Sequence, residues 1–528
     1  MGSIVQCKSG KYTYLYESES YRNSDGEPRN RRKCIGKIDP NTGNPTYNAE
    51  YIDRVWGTEK QPDINDEKLF SANDIKGSRN AEFGASYLLA SISQQIGLSG
   101  AVENAFPQSW EKILALAFFM VATGEPVMYC EDWLAKSEVR PCGDMSSQRI
   151  SDLLGTITNA ERMDFYENWG AMRREQEYFA LDITSISSYS DLIGDVAWGY
   201  NRDKENLAQI NVCILVGEMS RLPIFQIVYH GALKDVSTLK TTLSAASHLD
   251  MRGLAVIMDK GFGSKKNIDA LLSDQDGARF LAALPFTMSF AVNQAHGEKK
   301  DIDTVDNTIN VGGDVIRGVT KQRLWSAEHK LYTHIFFNAE LAYRKRNALY
   351  GRVAALKQLA RESPDNQKHA GEFEKYLCIR KSKRNKSGPA ISVKQDAIEK
   401  ELALAGWMVA GSNFITDAEE AIKIYRAKDV VEKGFLRLKN CLDFARLRVH
   451  SDNTVQNKVF IGFIALILIA HIHKVMDEHK LYRTLTMKKM IRRLETLRVQ
   501  YINGKRVQYP ITAEQKMIFS AFDVALPL

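Results

Sequence analysis

No Cys-x-x-Cys pair occurs in the 528 residues, and the seven cysteines, Cys7, Cys34, Cys130, Cys142, Cys213, Cys378 and Cys441, are scattered singly. An odd, dispersed set argues against a disulfide framework and against a structural zinc site. A reducing, cytosolic setting is expected. No secretory signal is visible either: the first dozen residues are polar and basic, without an apolar run. The longest apolar run, 459–470, has 12 residues. It is too short to span a bilayer and reads as a buried helix, so no membrane partner is expected. His471 and His473 lack a third ligand at metal-binding spacing and read as core or capping residues. Internal repeats and long low-complexity segments are also missing. Charge of one sign is only slightly in excess, at net +7 with an isoelectric point near 8.8. That permits a polyanionic partner without demanding one.

What is present reads as several segments. Residues 5–40 resemble a β-hairpin, with Tyr12, Tyr14 and Tyr16 alternating on one face and a turn at Asp25-Gly26. Its return limb carries Arg29, Arg31, Arg32, Lys33 and Lys37. Charged edges that prevent aggregation and a DNA-contacting arm account for these equally well. Residues 41–75 read as a linker, which closes an N-terminal segment at 75. Residues 76–175 are helical in pattern, with apolar stripes at 81–96 and 114–121 and amphipathic stretches at 147–154 and 159–169, Asn159 serving as N-cap.

The period then changes. Strand-like runs at 178–184, 208–216 and 223–229 precede a helix at 235–249, a strand at 254–258, a helix at 265–272 and a strand at 279–284. Three meandering strands followed by helix, strand, helix and strand is the order of a ribonuclease H-like α/β core. Residues 286–405 interrupt it with strand-like pieces at 308–311 and 331–337, a helix at 339–361 and a basic run at 380–386. The run suits a solvated loop, with a DNA-backbone contact as the alternative. The core resumes at 406–475. A helical C-terminal region, 476–528, carries an amphipathic stretch at 486–499 and a turn at Asn503-Gly504.

Three carboxylates stand out. Asp182 lies inside an apolar strand, where a lone carboxylate is costly unless paired or bound to a cation. Asp259 ends another apolar strand, ahead of Gly261 and Gly263. A turn explains Asp259 alone; a site at a strand end explains it together with Asp182. Glu432 is the third. On a helix turning about 100° per residue, Tyr425, Lys428, Glu432 and Lys439 share an arc of roughly 60°. Solvated ion pairs are the ordinary reading of such a face. A carboxylate for a metal, flanked by cations for phosphate oxygens, is the functional one.

The chain resembles the DDE transposases of bacterial insertion sequences, in the group marked by a Tyr-x2-Arg-x3-Glu-x6-Lys signature. Tyr425, Glu432 and Lys439 match that spacing, and Lys428 replaces the family Arg. Leu181-Asp182-Ile-Thr resembles the first acid's strand, Met258-Asp259-Lys-Gly-Phe-Gly the second's, and Trp198-Gly-Tyr-Asn-Arg-Asp an intervening family segment. The gap from 259 to 432 is more than twice that from 182 to 259, matching the group's β-rich insertion. The resemblance implies that Asp182, Asp259 and Glu432 bind two Mg²⁺ ions, with Mn²⁺ able to substitute, and that Tyr425, Lys428 and Lys439 hold terminal phosphates. It implies cleavage at the inverted repeats of the element, transfer of the freed 3′-hydroxyl into target DNA, double-stranded DNA as partner, and a homodimer in a synaptic complex. The setting would be the bacterial cytoplasm. A non-cutting DNA-binding descendant and a nuclease on the same core are the alternatives. Trp325, in the insertion, is expected to be a core residue.

Overall fold

A computed structural model describes residues 3–51, 78–173, 178–273, 277–380, 389–428 and 447–527, apart from short gaps at 11, 24–25, 39–44, 49, 191–192, 200, 202–204, 234–237, 240, 243, 246–254, 448, 450 and 503–504. The expected linker beyond residue 51, much of the 235–249 helix, the basic run beyond Arg380, Glu432 and Lys439 lie outside the described residues, and the early part of that expected linker includes a strand, Pro45–Tyr47. The chain divides into two compact units, Met1–Ser78 and Arg79–Leu528.

The first unit is an antiparallel sheet in the order β1-β2-β3-β4, formed by β1 (Ser3–Ser9), β2 (Tyr12–Arg22), β3 (Pro28–Ile38) and β4 (Pro45–Tyr47). The expected hairpin is its central pair; the outer two strands are additional. Gly26 takes φ +80° beside the turn, where an L side chain would be strained. Register shifts between Leu15 and Tyr16, so Ile35 on β3 is an extra, bulged residue. Leu15 and Ile35 are buried in this sheet, whereas Arg29, Arg31, Arg32, Lys33 and Lys37 are all exposed.

The second unit opens with β5 (Arg79–Glu82) and a set of helices, among them Gly84–Gln95, Trp110–Thr123, Ser147–Thr156 and Asn159–Ala171. The last is capped by Thr158 rather than by Asn159. The Thr158 hydroxyl accepts from the Glu161 amide, and the Glu161 carboxylate accepts in turn from the Thr158 amide at 2.7 Å. This is a reciprocal capping box, and Asn159 is simply the first helical residue.

A nine-stranded mixed sheet follows. Its strands are β6 (Tyr178–Ser187), β7 (Gln209–Gly217), β8 (Pro223–His230), β9 (Ala255–Met258), β10 (Arg279–Leu284), β11 (Thr308–Val311), β12 (Asp314–Leu324) and β13 (Lys330–Phe337), with β16 completing it after two short strands, β14 (Leu377–Arg380) and β15 (Ala390–Val393). β16 is Trp407–Ser412, and the order is β11-β12-β13-β16-β10-β9-β6-β7-β8. β6, β9 and β10 are parallel; every other pairing is antiparallel. β7 and β9 are buried along their whole length, which is why they read as unbroken apolar runs. The mostly β part of the insertion extends the same sheet instead of standing apart. β12 has no counterpart among the sequence expectations, because its Arg, Lys and Gln residues interrupt the apolar pattern. β14, β15 and helices at Ala339–Glu362, Ala370–Tyr376 and Gln395–Leu402 build a small satellite core.

The Asp452–Glu478 helix is the central beam. It is apolar all round and so is buried all round, against Trp110–Thr123, Ser147–Thr156 and β8. It is long and apolar enough to cross a membrane, yet 78% of its apolar window is buried within the protein. Two of its buried polar side chains are satisfied by carbonyls: Asn457 donates to those of Leu154 and Ile157 at 2.7 and 2.8 Å, and Lys458 to that of Leu447 at 2.7 Å. The stretch 486–499 is not one helix. Met487–Glu495 is helical, and Val499 belongs to β17 (Arg498–Ile502), which pairs with β18 (Lys505–Gln508) and β5. The last two residues of that stretch, Arg498 and Val499, gave way to sheet pairing, a tertiary effect.

Candidate active site

The first two acids meet through strand register. Leu181 on β6 pairs with Met258 on β9, and each acid is the next residue in a parallel direction. Asp182 and Asp259 therefore share one face of the sheet at the same level, on strands roughly 5 Å apart. Asp182 is half-buried, and its Oδ1 accepts from the Ile183 amide at 2.8 Å. Asp259 is half-buried at the head of a tight turn, in which the Phe262 amide donates to the Asp259 carbonyl at 3.0 Å. Gly263 allows that turn to close on β10. A Cβ at this position would lie 2.2 Å from the Ala283 carbonyl oxygen.

Tyr425 arrives from the other end of the sheet. β16 runs antiparallel to β10, so its C-terminus lies at the edge away from the acids. The chain then enters the Ala418–Ala427 helix, whose N-cap Asp417 accepts from the Glu420 amide at 2.8 Å. Ala418, Ala421, Ile422 and Ile424 pack this helix on Ile257, Leu281, Ile316 and Phe336. Ile257 lies two residues before Asp259, hence on the same face, so the helix is carried back toward the acids. Near its C-terminal end the Tyr425 hydroxyl donates to Asp259 Oδ1 at 3.0 Å.

The neighbours of Tyr425 divide. Arg426 turns away: its guanidinium donates to the Val311 carbonyl at 2.6 Å and to Asp314 Oδ2 at 2.9 Å, tying the helix to the β11–β12 hairpin. Lys428 forms the C-cap and is buried, at 4% exposure. The helix described here ends at Ala427; Glu432 and Lys439 lie outside the described residues, so the arc expected for 425–439 is described only as far as Lys428.

The donor chemistry fits a hard divalent cation. Two carboxylates converge with a phenol, and neither His nor Cys takes part. Among the described residues no group of three His, Cys, Asp or Glu side chains gathers. Asp182 and Asp259 would hold the ion from the two strands, and the third acid is a matter for residues beyond those described.

Other expected positions are also visible. Trp198 is 64% exposed on a loop beyond β6, while Asn201 of the same segment is buried and donates to the Ser187 hydroxyl at 3.0 Å; Tyr200, Arg202 and Asp203 lie outside the described residues. Trp325 is held by structure: its indole donates to Asp269 Oδ1 at 2.7 Å and meets the Phe290 ring edge-on at 5.0 Å. His473 is hydrogen-bonded to Tyr482. Burial pushes His471 down to about 4, with Lys474 and Arg173 acting in the same direction. Neither histidine touches the acids. The Tyr425–Asp259 bond itself was not legible in the sequence, since 166 residues separate the partners.

No curated protein matches this chain. Among solved structures, a cryo-EM piggyBac transposase synaptic complex with hairpin DNA aligns with 77% of this chain and 70% of that one, at 10% identity and a TM-score of 0.34, too weak a likeness to argue from. A family profile described as "Transposase DDE domain" matches residues 173–468, a span that takes in β6 through most of the Asp452–Glu478 helix and contains Asp182, Asp259 and Tyr425. The chain belongs to the transposase DDE domain family.

Proposed function

We propose that this chain is the Mg²⁺-dependent transposase of a bacterial insertion sequence, in the group marked by the Tyr-x2-Arg-x3-Glu-x6-Lys signature. It cuts at the terminal inverted repeats and joins the freed 3′-hydroxyl to target DNA. The observation that carries this reading is the pairing of Asp182 and Asp259 at one level of two parallel strands, with the Tyr425 hydroxyl on Asp259 Oδ1. The strand order β8-β7-β6-β9-β10 supports a ribonuclease H-like core, with β6, β9 and β10 parallel and β7 reversed.

Asp182, Asp259 and Glu432 are the proposed ligands of two Mg²⁺ ions, which when bound supply Lewis acidity for the phosphodiester and a more acidic water. The two aspartates converge from strands, a rigid base for a site that must hold its geometry. Tyr425 orients the Asp259 carboxylate by occupying Oδ1. Tyr425, Lys428 and Lys439 are proposed for the terminal phosphates; since Lys428 is buried, its part calls for the helix end to open. Lys is a point charge and lacks the bidentate fork of Arg. Synapsis of two element ends implies a homodimer on double-stranded DNA, acting in the bacterial cytoplasm.

The test is cleavage of a duplex carrying the element's end, with and without Mg²⁺, by wild type and by Glu432→Gln. The variant is expected to retain end binding and to lose strand cleavage. Cleavage by the variant at near wild-type rate would sink the assignment.

A further inference from the structure

The Ala339–Glu362 helix of the insertion presents a basic surface that no role above uses. It carries six cations, Arg344, Lys345, Arg346, Arg352, Lys357 and Arg361, against the carboxylates of Glu340 and Glu362. Its first buried residue is Leu349, so residues 339–348 ride outside the satellite core that the rest of the helix helps to form. A helix segment with no buried face gains nothing from folding that would select its side chains.

Its charges are only partly balanced within the chain. Glu340 pairs with Arg344 at 3.5 Å, and Glu372 pairs with Arg352. Among the described residues neither Lys345 nor Arg346 has a carboxylate partner. Two aromatic rings stand beside Arg346: Tyr343 is 63% exposed and Tyr350 47%. Tyr343, Arg346 and Tyr350 lie three and four residues apart, so they share one helix face. Arg346 and Lys299 line one groove of 230 Å³ together with Ala342 and Phe337; the acid there, Asp303, accepts from Arg317 at 2.9 Å.

Topology puts this face at the edge that carries the acids. β13 is antiparallel to β16, and β16 to β10, so β13 runs parallel to β6 and β9. The helix begins two residues after β13 and therefore leaves the sheet at the edge where Asp182 and Asp259 sit. Three strand spacings separate β13 from β9, roughly 15 Å. That is less than half of one turn of B-DNA, about 34 Å. A duplex with one phosphate at the acids still has backbone within reach of the helix.

We propose that Tyr343 and Arg346 on one face of this helix, with Lys345 about 100° round the helix from Arg346, grip the sugar-phosphate backbone of duplex DNA beside the cleavage site, without reading its sequence. The proposal rests on the transposase reading. Cations and tyrosine hydroxyls are the donors that phosphate oxygens take, and such contacts position a duplex without specifying bases.

The experiment measures affinity of the full chain for an end duplex and for an arbitrary duplex across a salt series, in wild type and in the Lys345→Gln/Arg346→Gln double variant. Neutralising two phosphate contacts should flatten the slope of log K against log[salt] by about 2, equally on both duplexes. The charge-conserving Lys345→Arg/Arg346→Lys pair should restore it. In wild type, bound duplex should protect Lys345 from an amine-acylating reagent, a reading that needs no variant. An unchanged slope, a loss confined to the end sequence, or protection of Lys345 by polyglutamate but not by duplex would overturn the proposal. Wild type that binds neither duplex would instead count against the transposase reading itself.

Discussion

The Tyr425 hydroxyl on Asp259 Oδ1 is a neutral donor on a carboxylate, and it leaves the second oxygen's direction set by the first. Tyr425→Phe keeps the ring packing and removes this bond. Partners of this kind cost about 10–100-fold in metal affinity or activity when lost. We expect a fall of that size, partly recovered at high Mg²⁺, read from cleavage rates across a metal titration. Asp259→Asn removes a proposed ligand itself, and its loss should exceed about 100-fold whatever the Mg²⁺ concentration. A second residue-scale expectation concerns pH. His334 is fully buried on β13, its Nδ1 sharing a hydrogen bond with the Thr320 hydroxyl at 2.7 Å. Burial pushes its imidazole from 6.5 down to about 4, Asp417 acting in the opposite direction. The unfolded chain therefore binds a proton between those values that the folded chain refuses. Stability is fully present above pH 6.5 and is lost as pH falls toward 4, by up to about 3 kcal/mol from this group. Urea midpoints measured from pH 7 to pH 4 should drop in wild type and drop less in His334→Asn; equal slopes would remove His334 from the account.

At the scale of elements, the turn after β9 and the Ala418–Ala427 helix aim the site. Gly263→Ala forces a Cβ against the Ala283 carbonyl oxygen at 2.2 Å, and backbone must move to relieve it. An overpacking cost of about 1–3 kcal/mol is expected. Because the same turn carries Asp259, cleavage should fall along with the thermal midpoint. A variant that loses activity with an unchanged midpoint would mean the turn adjusts locally. Trp325→Phe gives the contrast. It deletes the bond to Asp269 at 2.7 Å, costs about 1 kcal/mol, and leaves cleavage intact. Most of these elements were legible. The 265–272 helix and the 279–284 strand have the bounds expected from periodicity alone. β12 was not, since alternation with charged residues on a half-exposed face resembles loop composition. The end of the 486–499 stretch was misjudged because strand pairing with β5 depends on a segment more than 400 residues away.

For the whole molecule, the division at Ser78/Arg79 makes a clear prediction. A chain of residues 79–528 should fold with the melting behaviour of the full second unit, because its core is continuous from the helices through the sheet to the Asp452–Glu478 beam. Loss of cooperative melting on this truncation would show that the first sheet is part of that core. Phe463→Ala, in the beam, should cost about 3–5 kcal/mol by opening a cavity that close-packed neighbours cannot fill.

Sequence by itself determined most of the elements of the central sheet and singled out the acids. Apolar runs of strand length marked β6, β7, β9 and β10, and a carboxylate inside or ending such a run is costly enough to need a reason, which is why Asp182 and Asp259 could be named without coordinates. Only the tertiary structure decided that they share one level and one face, that Tyr425 bonds to Asp259 while Arg426 is drawn off to Asp314, and that Lys428 is buried. Local periodicity sets which way a side chain points within its own element. Which residues face one another across 77 or 166 positions depends on strand register and helix docking, and those are fixed by the packing of the whole core.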